Sequence, residues 1–206
     1  VKSLKKQLVE TAFGQFRQFG FKNVTMDDLA RAAGVSKKTL YEQFADKDEL
    51  VLESVKFMLN TNQTETDAAF RKAKDALDEI ASVLGLMEKM IRGMNLVCYI
   101  DLQRHYVEAF RYLTEHKESY LFKCISDNLK RGIAEGLYRE EIDVAIISRF
   151  RMESALLVFQ HNLFPPEQYD SVRVNKQIFE HYIYGLVTLK GHRLVKKYLS
   201  TPTLTK

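Results

Sequence analysis

Cysteine is almost missing from this chain: Cys98 and Cys124 are its two thiols among 206 residues. They lack C-x-x-C spacing, which argues against a disulfide framework and fits a reducing cytoplasm. No apolar run approaches the length of a bilayer span, and no secretory signal pattern opens the sequence, so neither membrane insertion nor export is expected. The five histidines, His105, His116, His161, His181 and His192, never adopt H-x-x-x-H spacing. A glycine-rich phosphate loop is absent too, and with it the usual residue sets for metal-assisted or nucleotide chemistry. No catalytic residue, metal ligand or cofactor is therefore expected. Acidic side chains are missing after Glu180, which leaves Lys190, Arg193, Lys196 and Lys197 as the solvated cationic end of a terminal helix.

What remains is an ordinary globular composition, 46% hydrophobic and 28% charged, at a length that holds one or two domains with a sizeable core. The formal charge of +4 is only mildly basic and does not demand nucleic acid. Where the cations sit is more informative. Lys2, Lys5 and Lys6 open the first helix, and Lys37, Lys38 and Lys47 flank a short second motif. Glu42, Asp46, Asp48 and Glu49 nearly cancel them, so a local basic patch is expected and not a basic domain.

That motif runs from Thr25 to Leu50, TMDDLARAAGVSKKTLYEQFADKDEL. Met26, Leu29, Ala30 and Ala33 keep helical spacing and give one buried face. Thr25 is placed to cap the helix, with Asp27 and Asp28 in the first turn where its dipole favours them. Gly34 supplies a left-handed residue at no steric cost, and Val35 turns into the core. Ser36 caps a second helix with Leu40 and Phe44 inside. Its outer side carries Lys37, Lys38, Thr39, Tyr41 and Gln43. Two short helices around a glycine turn, the second polar and basic outside, form a helix-turn-helix able to enter a DNA major groove.

The run Phe19-Gly20-Phe21, Thr25, Leu29-Ala30, Ala33-Gly34-Val35-Ser36, Thr39-Leu40-Tyr41, Phe44, Lys47 and Glu49-Leu50 resembles the signature of the TetR family. The resemblance covers roughly the first quarter of the chain. It implies an all-α protein with a three-helix DNA-binding head at 1–46 and a larger helical domain for ligand binding and dimerisation at 47–206. It also implies site residues. Thr25 and Ser36 would set helix N-termini and hydroxyls near phosphates, Lys47 would begin a helix aimed at the backbone, and Tyr41 would offer its hydroxyl to a phosphate. Lys37, Lys38, Thr39 and Gln43 are the candidates for base edges, lysine being suited to guanine O6 or N7. Tyr41 could instead pack over the turn, and Glu42 could either accept from cytosine N4 or screen Lys38.

Beyond the motif the pattern is helical nearly throughout. A stripe of Leu8, Ala12, Phe13, Phe16 and Phe19 predicts a first helix ended by Gly20. A fourth begins at Lys47, with Leu52, Val55 and Leu59 on one face, and should fray or end in the polar run 60–66. Further helices are expected over about 69–90, 96–104 and 108–132, the last broken near His116. Gly132, Gly136 and Asp143 bracket a turn-rich stretch similar to the G-x-x-x-G connector of many family members. Two strongly apolar helices follow at 143–162 and 172–188, separated by Pro165-Pro166. Their apolar residues surround so much of each helix that a homodimer face is expected there.

The resemblance further implies a repressor released from its DNA operator by a small molecule. Aromatic and methionine residues between Met87 and Phe122 are more often plain core than pocket lining. If a ligand site exists there, Tyr99, His105, Tyr106, Phe110 and Phe122 are its candidates, with His105 near Asp101 and Arg104 as the polar cluster. Two other readings stand beside a cytoplasmic DNA-binding regulator that is not an enzyme. One is a helical interaction module working through protein partners, and the other is a thiol-based redox sensor using Cys98 or Cys124.

Overall fold

The computed structural model describes residues 3–95 and 97–199, so Lys2 and Leu96 lie outside it. The chain is all-α. Its helices are α1 (Leu4–Phe19), α2 (Met26–Ala33), α3 (Lys37–Gln43), α4 (Lys47–Phe70), α5 (Ala76–Gly93), α6 (Val97–His105), α7 (Val107–His116), α8 (Phe122–Ala134), α9 (Val144–Ser154), α10 (Ser171–Leu186) and α11 (Leu189–Leu199). A π turn at Lys117–Leu121 separates α7 from α8, and a 3-10 turn at Leu157–Phe159 follows α9. Among the described residues extended pairing is limited to one isolated antiparallel bridge, Tyr138 to Val187.

The helices form two compact units, Val1–Gln63 with Gly93–His116, and Thr64–Arg92 with Lys117–Lys206. In the first, Leu8, Ala12 and Phe16 of the expected α1 stripe, with Val9, are buried against Leu29 and Ala30 of α2, Leu40, Phe44, and Leu50, Val51 and Val55 of α4, while Phe19 at the stripe's end is 46% exposed. Cys98, Leu102, Tyr106 and Ala109 complete this core. Each large side chain so removed from water contributes about 1.5–3 kcal/mol before the entropy of ordering is set against it.

Helix α4 does not end in its polar stretch. Thr61 Oγ1 donates to the Phe57 carbonyl at 2.9 Å, Glu65 pairs with Lys89 at 3.1 Å, and Asp67 accepts the Tyr120 hydroxyl at 2.7 Å. These partners overrule weak local propensity and carry the helix on to Phe70. Helix α5 therefore starts later than expected, at Ala76, where Asp75 Oδ1 accepts the Asp78 N–H at 2.9 Å.

The second unit is built on Ala76, Leu77, Ile80 and Leu84 of α5, Leu129 of α8, Tyr138, and Phe179, Tyr182, Ile183 and Leu186 of α10. Gly132 is required here, because a Cβ on it would lie 2.1 Å from the Tyr138 ring. The Tyr138 hydroxyl donates within the core, with Ala76 O and Asn128 Oδ1 each at 3.2 Å. Helix α9 is shorter than its apolar pattern suggested. After Ser154 the hydrogen bonds tighten, Leu156 N–H to Glu153 O at 3.0 Å and Phe159 N–H to Leu156 O at 3.0 Å, and the chain turns inward to bury Val158 and Phe159. The two apolar helices also divide their surfaces unequally. Tyr182, Ile183 and Leu186 fill the core of their own unit, while Ile146 is 64% and Phe150 52% exposed.

Candidate nucleic-acid interface

Helix α2 begins with a reciprocal cap. Asp28 N–H donates to Thr25 Oγ1 at 3.2 Å, and Asp28 Oδ2 accepts the Thr25 N–H at 3.0 Å and its hydroxyl at 2.6 Å. Those bonds hold the exposed Asp28 carboxyl below its ordinary pKa. Helix α2 ends at Gly34, whose φ of 68° is left-handed. Gly34 N–H reaches Arg31 O at 3.2 Å and Val35 N–H reaches Ala30 O at 3.0 Å, the paired closure that reverses a chain after a helix. Ser36 then caps α3 by accepting the Thr39 N–H at 3.0 Å, with the two hydroxyl oxygens 2.8 Å apart. Leu40 and Phe44 are buried, so their anchoring turns the opposite side of α3 outward.

The outward side holds Lys37, Lys38, Tyr41 and Glu42, all exposed, with Thr39 and Gln43 half-buried at its margins. Tyr41 is 45% exposed. Lys37 is engaged within the motif: its ammonium lies 2.7 Å from Asp27 Oδ1, which raises its pKa. Lys38 has neither an ion pair nor a hydrogen-bond partner among the described residues. On α1, Lys5 pairs with Glu49 at 3.2 Å and sits over the Phe44 ring. That pair braces the start of α4, where Glu49 Oε2 also accepts the Ala45 N–H at 2.8 Å.

Lys47 differs from the other lysines. Its ammonium donates to the Lys22 carbonyl at 3.2 Å and lies over the Tyr106 ring, and burial lowers its pKa. It thus helps fix the turn between α1 and α2. So does Asp101, a buried residue of α6 whose Oδ2 accepts the Lys22 N–H at 2.9 Å. Tyr106 donates its hydroxyl to Phe21 O at 3.2 Å, and Asn95 N–H bonds Arg17 O at 2.8 Å. The sequence shows Asp101 as part of a polar cluster but gives no sign of this bracing, which joins residues about 80 positions apart.

The five ligand candidates fall in both units. Tyr99 and Phe110 meet edge-on with centroids 5.9 Å apart, Tyr106 belongs to the core of the first unit, and His105 is exposed. Phe122 lies in the second unit beneath the Arg149 guanidinium. Burial pushes the Cys98 thiol up to about 12 and also raises that of Cys124, which disfavours the reactive thiolate at both. Among the described residues no three His, Cys, Asp or Glu groups are placed to hold a metal, and no helix is long and apolar enough to cross a membrane.

Residues 8–54 match the family described as bacterial regulatory proteins, tetR family. The uncharacterized HTH-type transcriptional regulator YhgD of Bacillus subtilis is 40% identical over 134 residues, covering 62% of this chain and 70% of that protein. The HTH-type transcriptional repressor KstR2 of Mycobacterium tuberculosis is 28% identical over 164 residues, covering 73% of this chain and 76% of the repressor. The solved structure of the regulator FadR from Bacillus subtilis, in complex with stearoyl-CoA, shares the fold. Its TM-score is 0.70 at 18% identity, over 87% of this chain and 98% of that one.

Proposed function

The chain belongs to the TetR family and is a helix-turn-helix transcriptional regulator, not an enzyme, and we propose that it is a cytoplasmic repressor released from its operator by a small molecule. The carrying observation is the exposed face of α3, held outward by buried Leu40 and Phe44. In this reading Lys37, Lys38, Thr39 and Gln43 approach base edges. Tyr41 and the capped starts at Thr25 and Ser36 approach phosphates. Lys47 acts through the turn it braces and contributes its charge to the phosphate field.

The head is proposed as residues 1–46 and the regulatory part as 47–206. A homodimer is proposed through the region of α9 and α10, with exposed Ile146 and Phe150 meeting their copies together with Tyr184. Two heads then reach half-sites about 34–36 Å apart, or a multiple of that spacing. A ligand that prefers a head spacing unsuited to the operator releases the DNA by population shift. The stearoyl-CoA seen with the structural neighbour FadR supports effector control.

Equilibrium fluorescence anisotropy on DNA upstream of the protein's own gene, beside a scrambled duplex, tests the reading. Binding about a thousandfold tighter to the upstream duplex is expected. Equal weak binding to both, across a tiled set of neighbouring DNA, would remove the operator from the account.

A further inference from the structure

Among the described residues, four polar side-chain atoms of the second unit are buried without a hydrogen-bond partner, His161 Nε2 and the three that share the α9–α10 contact, Arg151 Nη1, Ser148 Oγ and Asn175 Nδ2. Ser148 and Arg151 are three apart on α9, hence neighbours on one helix face. The Arg151 guanidinium lies over Phe179 and Tyr182 of α10, 5.1 and 5.3 Å from their ring centroids. Asn175 shares that face, one turn before Phe179. The other terminal nitrogen of Arg151 reaches only Met87 Sδ of α5, at 3.5 Å, and a thioether is a weak acceptor.

Arg151 is 5% exposed, and among the described residues no carboxylate pairs with it. Neighbouring Glu153 is exposed and pairs with Lys117 at 2.7 Å. Glu180 pairs with Lys176 at 3.9 Å. Tyr182 supplies the one electrostatic influence on Arg151, and burial lowers the guanidinium to about 10, leaving it charged at neutral pH. A buried charge normally persists only when it is paired, and three clustered donors lack an acceptor. Plain packing would be served as well by methionine or leucine at this position.

We propose that Arg151, with Ser148 and Asn175, binds the carboxylate of a small molecule whose apolar body packs on Phe179, Tyr182 and Met87. The site disfavours cationic effectors. Because its polar atoms are sealed from solvent, binding requires α9 and α10 to part, which links occupancy to a change of conformation. This assignment deepens the effector-controlled reading above and rests on it.

The test uses the full chain and calorimetric titration with acetate, hexanoate, decanoate and benzoate, each beside the alcohol of the same carbon skeleton. Wild type is expected to bind at least one carboxylate about tenfold or more tighter than its alcohol. Arg151→Met should abolish that preference while melting at the same temperature or higher, because an unpaired buried charge is replaced by an apolar chain. Arg151→Lys should keep part of it. Should Arg151→Met not fold, Asn175→Leu serves instead, with a smaller loss of carboxylate affinity expected. No carboxylate binding, equal binding of acid and alcohol, or wild-type selectivity in the variants would overturn the proposal. Operator binding by the ligand-free protein, measured on the same preparation, separates the two readings. Its loss alongside intact carboxylate selectivity sinks the repressor reading and spares the site.

Discussion

The Asp101 carboxylate of α6 accepts the main-chain N–H of Lys22 at 2.9 Å, and so ties a helix of the chain's middle to the turn that sets up the helix-turn-helix. Gly20 belongs to the same arrangement. Its φ is 85°, and a Cβ there would stand 3.0 Å from Asp101 Oδ2. Asp101→Ala should lower stability by about 1–3 kcal/mol by leaving the turn amide without its partner. Asp101→Asn, which keeps an acceptor oxygen, should cost less. Gly20→Ala should cost about 1–3 kcal/mol through backbone strain. Urea midpoints for the three variants check the order.

Lys37 is paired with Asp27 at 2.7 Å in the free protein, so reaching DNA requires that pair to open. Both partners are exposed, and opening it is easy. Asp27→Asn should leave stability within about 1 kcal/mol of wild type and tighten DNA binding several-fold at low salt. The gain should shrink as salt rises. Anisotropy titrations at several salt concentrations measure it.

Gly132 and Tyr138 make the tightest glycine contact in the second unit, a Cβ being only 2.1 Å from the ring. Gly132→Ala should destabilise by about 1–3 kcal/mol or more, since the aromatic ring is fixed by its own hydrogen bonds. Loss of thermal stability in a melting experiment is the readout. An unchanged melting curve would contradict this packing.

Burial pushes the Cys98 thiol from its ordinary value near 9 up to about 12, and the thiol donates to Phe16 O at 3.3 Å. A folded value above the unfolded one means the stabilisation is complete below about pH 9 and is lost as pH rises from 9 towards 12. The stability gap between wild type and Cys98→Ala should therefore narrow over that window. At neutral pH a thiol-labelling reagent should modify the denatured chain far faster than the native one.

The head was legible because its instructions are local. Thr25, Gly34 and Ser36 announce their caps and turn by residue type, and Leu40 and Phe44 name the inner face of α3 without any tertiary knowledge. The continuation of α4 through residues 60–66 was not legible, since Glu65 and Asp67 find their partners in Lys89 and Tyr120, far along the chain. Asp101 and Lys47 illustrate the same limit at the site: composition gives their charge, and only folding shows both directed at Lys22. Arg151 left a fainter trace, a cation in a helix whose buried residues also include Ser148, Met152 and Ser154. Counting its missing counter-ions requires the packed α10.

The most direct measurement of the central claim is the salt dependence of operator binding by wild type and a Lys37→Ala, Lys38→Ala double variant. The account predicts that the variant loses at least about tenfold in affinity and most of the preference over a scrambled duplex. Its logarithmic salt slope should be shallower by about one to two. A variant that keeps wild-type affinity, preference and slope would contradict a DNA-reading role for the outer face of α3.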